Sequence, residues 1–123
     1  MLINLSNHPL ETWSEKQIEQ ANLQFGEIYN ISFPAINPKC SAEEVIIVAH
    51  KYLNKIKEIL TNHFNKNNAV HLMGEFTFVF ALASLLIEEK ITVLASTGNR
   101  NTKNLPDGKM VNFEFVKFRE YKN

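Results

Sequence analysis

The 123 residues make one domain's worth of chain, and 45% hydrophobic with 21% charged side chains is a globular balance rather than that of a disordered segment. Thirteen basic residues meet thirteen acidic ones, so the chain lacks the net basic surface that long duplex DNA or RNA demands. Cys40 is alone, which excludes an internal disulfide and a cysteine metal cluster.

Met1 to Leu5 is an apolar run closed by Ser6-Asn7-His8-Pro9 and predicts a first strand. Ser14 with Gln17 three positions on makes a capping box, opening a helix that ends near Phe25-Gly26. Glu27 to Phe33 predicts a second strand stopped by Pro34, followed by a two-proline loop to Lys39. A second capping box, Ser41 with Glu44, leads into a long amphipathic helix. Its apolar residues, Val45, Val48, Ala49, Tyr52, Ile56, Ile59 and Leu60, recur at helical spacing to about Phe64.

After a polar break from Asn65 to Asn68, Ala69 to Met73 predicts a third strand, with Gly74 as its turn. The third helix, Glu75 to Glu89, is apolar almost all round, which places it in the core or against a partner subunit. Its apolar part, Phe76 to Ile87, falls short of the about 20 residues of a membrane span, and the N-terminus is no signal peptide. A soluble, cytoplasmic protein is expected. Ile91 to Ala95 predicts a fourth strand, Ser96 to Asn104 a polar loop, and Pro106-Asp107-Gly108 a turn. Val111, Phe113 and Phe115 alternate with polar residues in a fifth strand. The slip of that alternation to Phe118 predicts a bulge near Val116.

Strands separated by helices imply a parallel sheet with crossovers. The expected fold is α/β: a single Rossmann-like three-layer domain over residues 1–123. Its mainly parallel five-stranded sheet has order 2-1-3-4-5 and an antiparallel edge strand.

Ligands of such sheets bind beyond the carboxyl ends of the strands, where winding reverses. Those ends carry Ser6, Asn7 and His8; Met73, Gly74, Glu75, Phe76 and Thr77; and Ser96, Thr97, Gly98, Asn99 and Arg100. Free amides at the start of the third helix suit an anion, and Glu75 beside them suits a ribose hydroxyl or its proton. A tight turn with Glu75 complementing the dipole explains the same residues without a ligand. Hydroxyls and the Arg100 fork suit phosphate oxygens, against the alternative of a solvated loop. His8 can serve as acid or base, or simply bond the backbone. His71 lies inside the third strand and is expected in the core or an interface. His50 and His63 are too far apart for a metal pair, and no zinc spacing or phosphate-binding glycine fingerprint occurs, so neither metal nor cofactor is expected.

Four stretches carry a resemblance: Leu2 to Pro9, Val70 to Phe78, Val93 to Arg100 with its Ser-Thr-x-x-Arg run, and Phe113 to Tyr121. Together they resemble the small standalone CRISPR-associated proteins with a Rossmann-like fold of the CARF kind, including the compact ring nucleases. The resemblance implies a homodimer that binds cyclic oligoadenylate across its axis and opens the ring without metal. It implies that Ser6, Asn7, Gly74, Glu75, Ser96, Thr97 and Arg100 line the site. Gly98-Asn99 departs from the Thr-Glu expected before the arginine, which puts the proton acceptor in doubt. Physically, a ribose 2′-hydroxyl already adjoins the scissile phosphate, so the protein need only hold an in-line geometry and stabilise charge. A lone domain offers a shallow groove, whereas two paired copies enclose a symmetric ligand. A non-catalytic sensor or sponge, and an unrelated nucleotide-binding domain, are the alternatives.

Overall fold

The computed structural model describes residues 1–63 and 67–123. In chain order it comprises β1 (Leu2–Ser6), a single 3-10 turn (Leu10–Thr12), α1 (Glu15–Phe25), β2 (Ile28–Ser32) and α2 (Ala42–Thr61). β3 (Ala69–Met73), α3 (Phe76–Glu88), β4 (Thr92–Leu105) and β5 (Gly108–Glu120) follow. The sheet order is β2-β1-β3-β4-β5, with β1 parallel to both β2 and β3, β3 parallel to β4, and β4 antiparallel to β5. This is the expected Rossmann-like three-layer α/β arrangement.

Successive strand residues face opposite ways, so each central strand supplies two cores. Ile3, Leu5, Val70, Leu72 and Val93 meet α2 and α3 on one face. Leu2, Ala69 and Leu94 meet Trp13, Ala21, Phe25, Phe115 and Phe118 on the α1 face. Both faces being covered explains why these strands read as apolar runs.

Local signals account for the helix starts. Ser41 and Glu44 make the full reciprocal capping box of α2. Ser14 caps α1 through the Gln17 amide, but the Gln17 side chain turns away and reaches Ser96 instead. α2 closes at Thr61, with Asn62 as its cap. Phe64, where the sequence placed that end, and Asn65, the start of the expected polar break, lie outside the described residues. α3 buries Phe78, Leu82, Ala83 and Leu86, yet Phe76 and Phe80 are 89% and 75% exposed. It is therefore covered on one side only within this chain. No helix among the described residues is long and apolar enough to cross a membrane.

The largest difference from expectation is the segment after Ala95. The polar run Ser96 to Asn104 is not a loop; it continues β4 to Leu105 and pairs residue by residue with β5 across a two-residue turn at Pro106 and Asp107. From Gly98 outward the ribbon projects with both faces largely in solvent, so its β4 half carries no apolar period by which to recognise it. The bulge is where the slip in alternation placed it. Thr97 faces Lys117 and Gly98 faces Phe115, leaving Val116 as the extra residue. A side chain at Gly98 would stand 2.9 Å from the Glu114 carbonyl oxygen, so this glycine serves close strand approach rather than flexibility.

Candidate functional site

β3 and β4 pair only from Ala69/Thr92 to His71/Leu94. Beyond that they separate. The Leu72 carbonyl accepts the Tyr121 hydroxyl at 2.8 Å, and the Ser96 amide meets the Met73 sulfur at 3.4 Å. Ser96 stands in the resulting notch, on the α1 face.

Beneath it lies a polar network in an otherwise apolar layer. Asn4 and His71 are wholly buried and Ser6 nearly so. His71 Nδ1 lies 2.9 Å from Asn4 Oδ1, and its Nε2 lies 2.8 Å from Ser96 Oγ. Ser6 Oγ also approaches Asn4 Oδ1, at 2.8 Å. The Asn4 amide nitrogen donates to Asn30 Oδ1 at 2.8 Å and to the His8 carbonyl at 3.2 Å. Asn4 thereby uses both its donors and both its lone pairs, which is how a buried amide avoids a desolvation cost. Trp13 closes the network from outside: its indole N–H bonds the His8 carbonyl at 3.0 Å, and its ring packs edge-on against His71. Phe118 packs against the imidazole as well. Burial, with the nearby His8 adding to it, pushes His71 down to about 4, so the ring is neutral near pH 7.

Above the network opens a cavity of about 450 Å³, lined by His8, Thr12, Trp13, Ser14, Gln17, Met73, Ser96, Thr97, Gly98, Phe113 and Phe115. Gln17 Nε2 donates to Ser96 Oγ at 3.0 Å from its wall. Ser14 is the N-cap of α1, so the positive end of that helix dipole faces this space. A second cleft of about 270 Å³ lies at the opposite end of β4 beside Ile87 and Tyr121. Among the described residues no three His, Cys, Asp or Glu side chains are grouped as metal ligands would be.

The strand ends do converge: Ser6 pairs with Met73, and Ser96 touches Met73. Of the expected site residues, His8, Met73, Ser96, Thr97 and Gly98 line the cavity. Ser6 does not; it is a buried support. Asn7 is exposed and gives its amide to the Met73 carbonyl. Gly74 does not admit a ligand, because a side chain there would stand 2.3 Å from the Phe33 ring. Nor are the α3 amides open to an anion. The Glu75 carboxylate already accepts from the Thr77 and Phe78 amides and from the Thr77 hydroxyl, which, with the Phe78 amide, holds its pKa below the ordinary carboxylate value. Glu75 is thus a helix cap, Thr77 its partner, and Phe76 is exposed beside them. Asn99 and Arg100 stand on the ribbon, where the guanidinium lies 6.0 Å from the Phe113 ring centre, outside the cavity.

Asn4, Trp13, Gln17, Asn30, Phe113 and Phe115 were not expected at the site, and His71 was expected in the core or an interface. A signal existed for two of them. Asn4 and His71 each interrupt an apolar buried strand, and paired strands bring them face to face.

A family model described as "Uncharacterized protein MJ1673 family" matches residues 1–119. The chain is 31% identical over 74 residues to "Uncharacterized protein MJ1673" of Methanocaldococcus jannaschii, a match covering 57% of each chain. It thus spans little more than half the length of that relative. No solved structure matches.

Proposed function

The chain belongs to the MJ1673 family, and from the geometry of its cavity we propose that it is a homodimeric ring nuclease. It binds a cyclic oligoadenylate second messenger of CRISPR antiviral signalling and cleaves it by metal-independent attack of the ligand's own 2′-hydroxyl. The observation that carries the reading is the cavity beyond the carboxyl ends of β3 and β4, with a helix N-terminus on its wall and a hydroxyl bonded to a buried histidine on its floor. Trp13, Phe113 and Phe115 supply faces on which a base can stack, while Ser14, Gln17 and Thr97 supply polar contacts. Five basic and three acidic residues lie between Thr92 and Glu120, so the ribbon is locally positive in a neutral chain.

Size supports a second copy. Sites for drug-sized ligands run to roughly 300–1,000 Å³, and a cyclic oligonucleotide is larger than such ligands. A cavity of about 450 Å³ holds a single nucleotide of the ring, and a two-fold pair of cavities meets a two-fold ligand.

The test incubates pure protein with cyclic tri-, tetra- and hexa-adenylate in chelator and resolves the products. Linear products ending in 2′,3′-cyclic phosphate are expected. Tight binding without turnover would make the protein a sensor or sponge. No change in melting temperature with any of the three at saturating dose would reduce it to an unrelated nucleotide-binding domain.

A further inference from the structure

The direction of each hydrogen bond around Ser96 is fixed by its partners. The His8 carbonyl can only accept, so Asn4 turns its nitrogen to that carbonyl and its oxygen to His71. His71 Nδ1 must then carry the ring proton, which leaves Nε2 of the neutral ring a bare acceptor. Ser96 Oγ, 2.8 Å away, has one proton and donates it inward. Gln17 Nε2 takes one of the two remaining lone pairs. Ser96 therefore offers the cavity a lone pair. It is unsuited to a phosphate oxygen, which is itself an acceptor, and suited to a ligand O–H.

We propose that Asn4, His71 and Ser96 form a proton relay in which Ser96 Oγ takes the proton of a ribose 2′-hydroxyl and passes its own to His71 Nε2. This rests on the ring-nuclease reading and names the proton acceptor that it needs. The 2′-oxygen forms a bond to the adjacent phosphorus as the bond from phosphorus to the 5′-oxygen breaks. The 2′-proton moves to Ser96, the Ser96 proton moves to His71, and the departing 5′-oxygen takes a proton from water. The products are a 2′,3′-cyclic phosphate and a 5′-hydroxyl. His71 then returns its proton through Ser96 to solvent, and no co-reactant is consumed.

Ser96 is the catalytic residue, because it alone of the three lines the cavity. His71, sealed beneath Trp13 and Phe118, and Asn4 behind it are positioning residues. Asn4 Oδ1 keeps the ring in the productive tautomer and receives Nδ1–H while the ring is charged. The uncharged Asn4, Trp13, Ser96 and Phe118 contact the imidazole from β1, the loop after it, β4 and β5; His8 is the titratable group that acts on it. An imidazole so shielded stays unprotonated in mild acid, and the relay works there.

Two measurements test the relay. Nitrogen-15 NMR of labelled protein should show His71 protonated at Nδ1 and bare at Nε2; the opposite tautomer overturns the relay whatever a ligand does. Single-turnover cleavage of cyclic tetra-adenylate in chelator should fall about a hundredfold in Ser96→Ala, with binding followed separately by thermal shift. Ser96→Thr, which keeps the hydroxyl, should recover most of the rate, and the wild-type rate should stay flat from about pH 8 to about pH 5. Cleavage by Ser96→Ala at the wild-type rate would sink the relay and leave the ring nuclease standing. A wild-type protein that neither binds nor cuts any cyclic oligoadenylate would remove both.

Discussion

His71 Nε2 and Ser96 Oγ meet at 2.8 Å where β3 and β4 cease to pair. His71 faces Leu94 in register, and Ser96 stands two residues further along the same face. The splay that opens the cavity is thus also what brings a hydroxyl over a buried imidazole. Strand separation, cavity and polar network are one feature.

The buried imidazole makes stability fall in mild acid. His71 drops from an ordinary 6.5 to about 4, mainly through desolvation. Between those values the unfolded chain binds a proton that the folded chain refuses. The stabilisation from the neutral ring is complete above pH 6.5 and is lost as pH falls towards 4, on the order of 3 kcal/mol in all. Urea unfolding at about pH 7 and about pH 4.5 measures it. His71→Gln should flatten the difference; an unchanged pH slope would assign the acid limb to carboxylates.

Removing the Glu75 carboxylate should cost stability and not catalysis. It caps α3 through the Thr77 and Phe78 amides, and loss of such a cap costs about 1 kcal/mol. Its lowered pKa means that this contribution is present above the unfolded carboxylate value and disappears as pH falls through the folded one. Thermal unfolding of Glu75→Ala should show the loss at neutral pH. A large drop in cleavage with unchanged stability would return Glu75 to the reaction.

The strands and helices were legible because apolar runs end at Ser, Gly and Pro, and because two N-caps announce helix starts. β1, for example, is bounded by Ser6 to Pro9, and α2 opens on Ser41 and Glu44. The outer half of β4 was not, since Asn99 to Asn104 faces water on both sides and strand pairing there leaves no trace in hydrophobicity. Among site residues, Ser96 followed from the rule that ligands meet the carboxyl ends of strands. Trp13 and Gln17 did not. Their arrival over Ser96 depends on how α1 crosses the sheet, and spacing along the chain does not encode that.

Arg100→Ala should weaken binding of cyclic oligoadenylate roughly tenfold, the scale of a single charge-assisted hydrogen bond at an exposed site. The guanidinium forms no ion pair among the described residues and stands over Phe113, itself a cavity wall. Being exposed, its contribution is screened by salt. Titration at low and high ionic strength should show the two proteins converging. Equal affinity at low salt would take Arg100 out of ligand contact.

Assembly should depend on the ribbon. Beyond the bulge, β4 and β5 stand as two strands alone, and an isolated two-stranded ribbon is marginally stable in water. Phe113 is 75% exposed there, with Val111, Met110 and Leu105 also exposed. Phe113 and Phe115 line the cavity as well, so a second copy packed on the ribbon would close the ligand space at the same time. Sedimentation should therefore show a dimer for the native chain and a monomer for Phe113→Glu, with ligand affinity falling together with assembly. Phe80→Glu, on the open side of α3, should leave the dimer intact. If Phe80→Glu instead dissociates it and Phe113→Glu does not, the copies meet through α3. The cavities then lie apart from the axis, and a ring shared between two copies no longer fits.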